Sequence, residues 1–171
     1  MTSSRPPELA AATEQTLTVT GSAVAELVVP GDGISMLDQV ARGFSTAFMT
    51  VENITAEANP GVVFDLYLNM PPGLSGSQAE FYYTGTFTLF GIESMNDPDR
   101  AHDGATGLRH AFDATAVIRA LAQENVWDSS AITVTVEPVP PPGEEFAAVA
   151  IPVQVGRIGL FVTPDDALPV A

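Results

Sequence analysis

The stretch "YYTGTFTLFG", Tyr82 to Gly91, decides how the rest of the chain is read. Successive side chains of an extended strand point to opposite faces. Tyr83, Gly85, Phe87, Leu89 and Gly91 then share one face, and Tyr82, Thr84, Thr86, Thr88 and Phe90 share the other. Threonines in register suit a solvated sheet face with good strand propensity. Phe87 and Leu89 suit a core. Gly85 on that core face leaves a gap, a common mark of close approach by another backbone or a large ring. The stretch reads as a half-buried antiparallel strand, a scaffold that hides its phenylalanine. Tyr82 and Phe90 fall on the threonine face and stay open as contacts.

Upstream, "VVFDLYLNM" (62–70) sets Val63, Asp65, Tyr67 and Asn69 against Val62, Phe64, Leu66 and Leu68, again with strand periodicity. "STAFMTVENI" (45–54), "LRHAFDAT" (108–115), "AITVTVEPV" (131–139) and "IPVQVGRIGLFV" (151–162) read as further strands. In the last, Val153, Val155, Arg157, Gly159 and Phe161 alternate against Pro152, Gln154, Gly156, Ile158 and Leu160. "TLTVT" and "AVAELVV" form a pair of short strands around the Gly21-Ser22 turn. "DATAVIRALAQ" (113–123) is the clear helix, with Asp113 or Thr115 to cap it and Val117, Ile118 and Leu121 on one face. "ISMLDQVARG" (34–43) is a helical turn or a loop, after the break at Pro30-Gly31-Asp32-Gly33. Residues 1–15 read as a linker and residues 16–171 as one domain. About eight short strands, one short helix near 115–122 and no βαβ alternation predict an all-β fold. An antiparallel β-sandwich or jelly-roll-like barrel follows from that pattern.

Composition narrows the function classes. A chain of 171 residues with 46% hydrophobic content is long enough for a core and is not a disordered tail, despite 14 Pro and 14 Gly. Twenty-one acidic residues face six basic ones, all Arg, for a formal net charge of −15. A phosphate-neutralising surface is therefore excluded, and with it nucleic acid and anionic membrane as partners. A high-salt habitat or an arginine-biased genome gives the same counts. No apolar run approaches the roughly 20 residues that span a bilayer. The N-terminal "MTSSRPPELAAATEQ" lacks the charged-then-apolar pattern of a signal peptide, and the compartment stays unassigned. The absence of cysteine removes disulfides, thiolate metal sites and cysteine nucleophiles.

Sites of chemistry are scarce. The two histidines, His102 and His110, are too few for an all-imidazole zinc or copper centre. A two-His-plus-carboxylate site would draw on Asp99, Asp103 or Asp113, against the plainer reading of a loop histidine and a strand histidine with a local hydrogen bond. The order G-L-S-G-S around Ser75 and Ser77 is not the G-x-S-x-G of a nucleophile elbow. Gly91, Gly104 and Gly107 open no phosphate loop. Asn53-Ile54-Thr55 matches a glycosylation acceptor but lies within a predicted strand. No catalytic, cofactor-binding or metal-ligating residue is assigned; a carboxylate pair for sugar hydrolysis stays open, because its spacing is three-dimensional, but nothing marks a particular pair.

In order, "ENITAEANPGVVFDLYLNMPPG", "AEFYYTGTFTLFGIES", "GLRHAFDATAVIRAL", "WDSSAITVTVEPV" and "VQVGRIGLFV" resemble the C-terminal domain of bacterial tyrosinase-family proteins. A more distant similarity extends to the C-terminal β-domain of plant polyphenol oxidases. The likeness runs from about residue 50 to residue 162, and "PPELAAATEQTLTVTG" resembles the linker after the copper domain of such proteins. The resemblance implies a β-sandwich packed on a helical copper domain, covering its entrance and holding it latent. In some members a side chain projects over the coppers as a placeholder. The copper domain, with its six histidines, is absent from this chain, so any copper belongs to a partner domain in cis or in trans. The implied role is an accessory domain that shields or regulates a tyrosinase-like copper site, or aids its folding. Leu74, Met95 and His102, in predicted loops, are the candidate placeholder residues, with Tyr82 and Phe90 as candidate interface residues. The alternative is a stand-alone structural protein that self-associates through sheet edges or loops. A weaker one is a copper-handling helper built on His102, His110 and methionines. Met1 ahead of a linker-like segment fits an independent gene or a piece of a longer one.

Overall fold

In the computed structural model, which describes residues 6–74, 77–92, 107–139 and 151–164, two antiparallel sheets share one hydrophobic core. The strands are β1 (Glu8–Ala12), β2 (Leu17–Val19), β3 (Ala23–Leu27), β4 (Ser45–Thr55), β5 (Val63–Leu68), β6 (Tyr83–Phe87), β7 (Leu108–Asp113), β8 (Ile132–Val139) and β9 (Val153–Pro164). The first sheet has the order β1-β9-β4-β7, with β2 also paired to β9; the second has the order β3-β8-β5-β6. Helices α1 (Gly31–Ala41), α2 (Ser77–Glu80) and α3 (Thr115–Gln123) complete the described elements. The all-β sandwich expected from the strand pattern is the observed architecture.

Alternation does most of the work in the second sheet. Phe64, Leu66 and Leu68 of β5 are buried, as are Ile132, Val134 and Val136 of β8, and Gly85 and Phe87 of β6. Phe64 and Phe87 are cross-strand partners, and their rings stack at 5.1 Å. A Cβ on Gly85 would overlap the ring of Phe112, which reaches across from β7 of the first sheet. The gap at Gly85 is thus filled by a large ring, and it is where the edges of the two sheets meet.

Four features depart from the sequence reading. First, the expected linker over residues 1–15 contains β1, which pairs with β9 through Leu9↔Phe161 and Ala12↔Gly159. Second, residues 31–41 form a helix rather than a turn or loop. Pro30 precedes it in extended conformation, and Leu37 and Val40 enter the core. Its end is a Schellman motif: Gly43 (φ 91) donates to the Val40 carbonyl and Phe44 to that of Gln39. Gly33 is required because a Cβ would strike the carbonyl of Ala10 in β1. Third, β2 and β3 are not a hairpin within one sheet: β2 pairs with β9 and β3 with β8. Fourth, β9 does not alternate uniformly. Val153 and Val155 are buried, and then Ile158, Leu160 and Val162. The change of face falls where Gly156 packs against Asn53 of β4, whose φ is 55.

Helices α1 and α3 lie together beside the first sheet. Arg119 of α3 donates to the carbonyls of Val40 and Ser45, tying α3 to the end of α1 and the start of β4. Thr115 does not cap α3; its hydroxyl bonds the backbone of Ala47 in β4. Asp113 accepts the Thr115 N–H instead. Trp127 Nε1 donates to Ser129 Oγ, which donates to Asp38 of α1 at 2.6 Å.

Candidate functional site

Three surfaces gather side chains able to recognise something. The first is the turn that follows β6. The strand ends at Phe87, and the chain reverses over Leu89–Ile92, with Ile92 N–H donating to the Leu89 carbonyl at 3.0 Å. Gly91 takes the left-handed conformation (φ 85) that this turn needs and that other residues rarely adopt. Leu89 and Ile92 are anchored in the core, while Phe90 between them is 87% exposed. One exposed apolar residue is ordinary. Here, however, the ring is held outward by a turn whose two ends are both buried.

The second surface is the outer face of β5 and β6. The pairing slips between Leu66↔Gly85 and Tyr67↔Tyr83, so Thr84 is an extra residue. That bulge moves Tyr83 off the core face assigned by simple alternation and onto the face of Thr86. Thr86 Oγ1 donates to Asp65 Oδ1 at 2.5 Å and therefore accepts from the Tyr83 hydroxyl at 2.6 Å. Tyr67 donates to the other oxygen, Asp65 Oδ2, at 3.4 Å, and its ring meets Tyr83 edge-on. Burial, and then the nearby Asp65 and Glu137 carboxylates, push the Tyr67 hydroxyl from 10.0 up to about 12. The chain of hydroxyls is closed on itself, with both Asp65 oxygens engaged.

The third is the seam between β6 and β7. His110 sits between Phe87 and Phe112, and its Nε2 lies 3.1 Å from the Thr88 carbonyl. A carbonyl only accepts, so His110 carries its proton on Nε2. This is the local hydrogen bond of a strand histidine. Asp113 is engaged with Thr115, and no three metal-ligating side chains gather among the described residues. On the first sheet, Glu52 lies 3.2 Å from Arg109 and 3.2 Å from Arg157, a bridge across three strands. Thr50 Oγ1 is buried there without a hydrogen-bond partner.

Of the residues singled out in the sequence, Phe90 is fully displayed. Tyr82 is half-buried in the turn before β6; its carbonyl accepts from Leu68 N–H and its ring meets Phe81 edge-on at 5.3 Å. It precedes β6 rather than belonging to it, and no ring contact or hydrogen bond joins it to Phe90. Leu74 is half-buried in the loop after β5. Met95 and His102 lie outside the described residues. The sequence reading missed Tyr83 and Phe81, which are 41% and 38% exposed. An adjacent Phe-Tyr-Tyr run was the available signal, but the bulge that sorts its faces leaves no mark in the sequence.

Among the described residues, no helix is long and apolar enough to cross a membrane. No curated protein matches the chain. Similar solved structures are latent polyphenol oxidases, and the region of similarity is their C-terminal part. Latent aurone synthase from its natural source is 17% identical, with a TM-score of 0.44 over 93% of this chain and 26% of that one. Latent apple tyrosinase is 15% identical, with a TM-score of 0.40 over 92% of this chain and 27% of that one. The chain thus spans about a quarter of the length of these structures. A family described as "Domain of unknown function (DUF7868)" matches residues 6–163, and the chain belongs to that family.

Proposed function

We propose that this chain is a non-catalytic accessory domain that docks on a tyrosinase-like copper domain, in the same polypeptide or a separate one, and covers its entrance. The ordered series of segments from "FDLYLN" to "VGRIGLF" supports the reading. The observation that carries it is the Phe90 turn: a ring 87% exposed on a backbone fixed by buried Leu89 and Ile92. Phe90 fills an apolar recess of the partner. A ring of this size contributes roughly 1.5–3 kcal/mol when it leaves water, and little ordering entropy is lost because the turn is already formed. The chain supplies no copper ligand; copper belongs to the partner, where it carries the oxidase chemistry.

The test pairs the purified chain with a cognate copper domain and measures affinity and oxidase turnover. The expected result is binding, lowered turnover, and a loss of affinity of at least about tenfold in Phe90→Ala, as for an aromatic anchor. Absence of binding and inhibition, or equal affinity in the variant, would overturn the assignment.

A further inference from the structure

We infer that the free edge of β3 is a slot for an extended, basic segment of another protein, which it takes up as an added strand. Val28 and Ala12 exchange both backbone hydrogen bonds, at 2.8 and 3.2 Å. Val28 thus turns its N–H and C=O away from β8 and toward β1. Alternate residues of an antiparallel strand send these groups to the same side. The pairing of β3 with β8 is unbroken from Ala23 to Leu27, so Glu26 and Val24 also present theirs to the side of Val28. β3 ends the order of its sheet, and among the described residues no ladder occupies that side.

A groove lies there instead. Beyond the Ala12–Val28 bridge the chain diverges from β3, and the space between Glu14–Leu17 and Val24–Val28 is about 390 Å³. Unpaired edges are normally covered or blunted because they recruit strands. Here two N–H and two C=O groups of the edge face that groove with no ladder partner among the described residues. Strand addition draws affinity from such groups and specificity from the side chains beside them.

Charge selects the occupant. Glu14 and Glu26 stand in the walls, and no basic residue is among the described residues that line the groove. Val24 and Val28, 59% and 49% exposed, offer apolar contact on the same strand. A segment alternating small apolar residues with Lys or Arg sets all its cations on this face, with their charged heads at Glu26 and their aliphatic stems over Val24 and Val28. A second copy of this chain does not: it carries −15, has six arginines and no lysine, and is repelled. The inference uses no residue of the Phe90 turn, and Phe90→Ala serves as a control that leaves it unchanged.

The experiment measures anisotropy of a labelled Val-Lys-Val-Lys-Val-Lys peptide with the full chain, beside a Val-Glu counterpart. The basic peptide should bind and the acidic one should not, and amide exchange at Val24 and Glu26 should slow on binding. Val24→Pro deletes one edge N–H without touching the β8 ladder, a position where proline is tolerated. It should weaken binding at least about tenfold, with the melting temperature showing that the fold persists. If that variant unfolds, Glu26→Arg carries the test: the basic peptide must lose affinity and the acidic one gain it. Equal binding of the two peptides, or unchanged affinity in a folded variant, overturns the inference. So does light scattering that shows a dimer abolished by Val24→Pro, since the edge would then serve a second copy.

Discussion

Phe87 and Phe90 are three residues apart in one stretch, yet the first is 1% exposed and the second 87%. Phe87 ends β6, stacks on Phe64 and faces His110 across the seam between the sheets. Phe90 belongs to no strand; it rides the turn fixed by Gly91. Pleat alternation assigns them to opposite faces, and the outcome agrees, but the cause differs. Phe87 is hidden by the sheet, whereas Phe90 is displayed by a turn that the sheet merely anchors. Core packing and surface display are therefore separable in this molecule.

Substitutions at the two ends test that separation. Phe87→Ala should cost about 3–5 kcal/mol in urea denaturation, as for truncation of a fully buried ring. A cost below about 1 kcal/mol would show that the seam is not well packed. Gly85→Val should cost about 1–3 kcal/mol by overpacking against Phe112. Combined with Phe112→Ala it should cost less than the sum of the two singles, because the variants share one contact. Tyr67→Phe addresses the outer face. Folding raises the Tyr67 hydroxyl from 10.0 to about 12, so above pH of about 10 the unfolded chain releases a proton that the native chain retains. Stability should thus fall as pH rises from about 10 to about 12. Melting temperatures followed across that window should drop less in Tyr67→Phe, and parallel curves would refute the assignment. The smallest effect is expected for Phe90→Ala, within about 0.5 kcal/mol of wild-type stability. A larger loss would mean that the ring supports the fold rather than a partner.

Much of this was legible in the residues. The alternation of the opening stretch puts Phe87 and Leu89 in the core, where they are, and the glycine on that face announces the incoming ring. What escaped has physical reasons. The Leu-Ala-Ala-Ala of β1 has little strand propensity, and its partner β9 lies at the far end of the chain. Helix α1 carries Gly31 and Gly33, which weaken helix propensity, but Gly33 is set by contact with Ala10 rather than by local preference. The switch of face in β9 depends on a left-handed Asn53 across the ladder, and the Tyr83 assignment on a bulge at Thr84. Each is a long-range or backbone decision. For the candidate site, strand alternation singles out Phe90 together with Tyr82, while the turn that mounts Phe90 and the groove beside β3 need the backbone and the pairing of strands.

The tie from Trp127 through Ser129 to Asp38 has an optical consequence. The chain has one tryptophan and three tyrosines. The tryptophan is bonded toward α1, whereas Tyr67, Tyr82 and Tyr83 all sit on β5, β6 or the turn before it. Indole emission and phenolic absorbance are thus intrinsic reporters of different parts of one molecule. Coincident denaturation curves in the two signals would mark a single cooperative unit. A lag between them would reveal the helical end loosening before the sheets part.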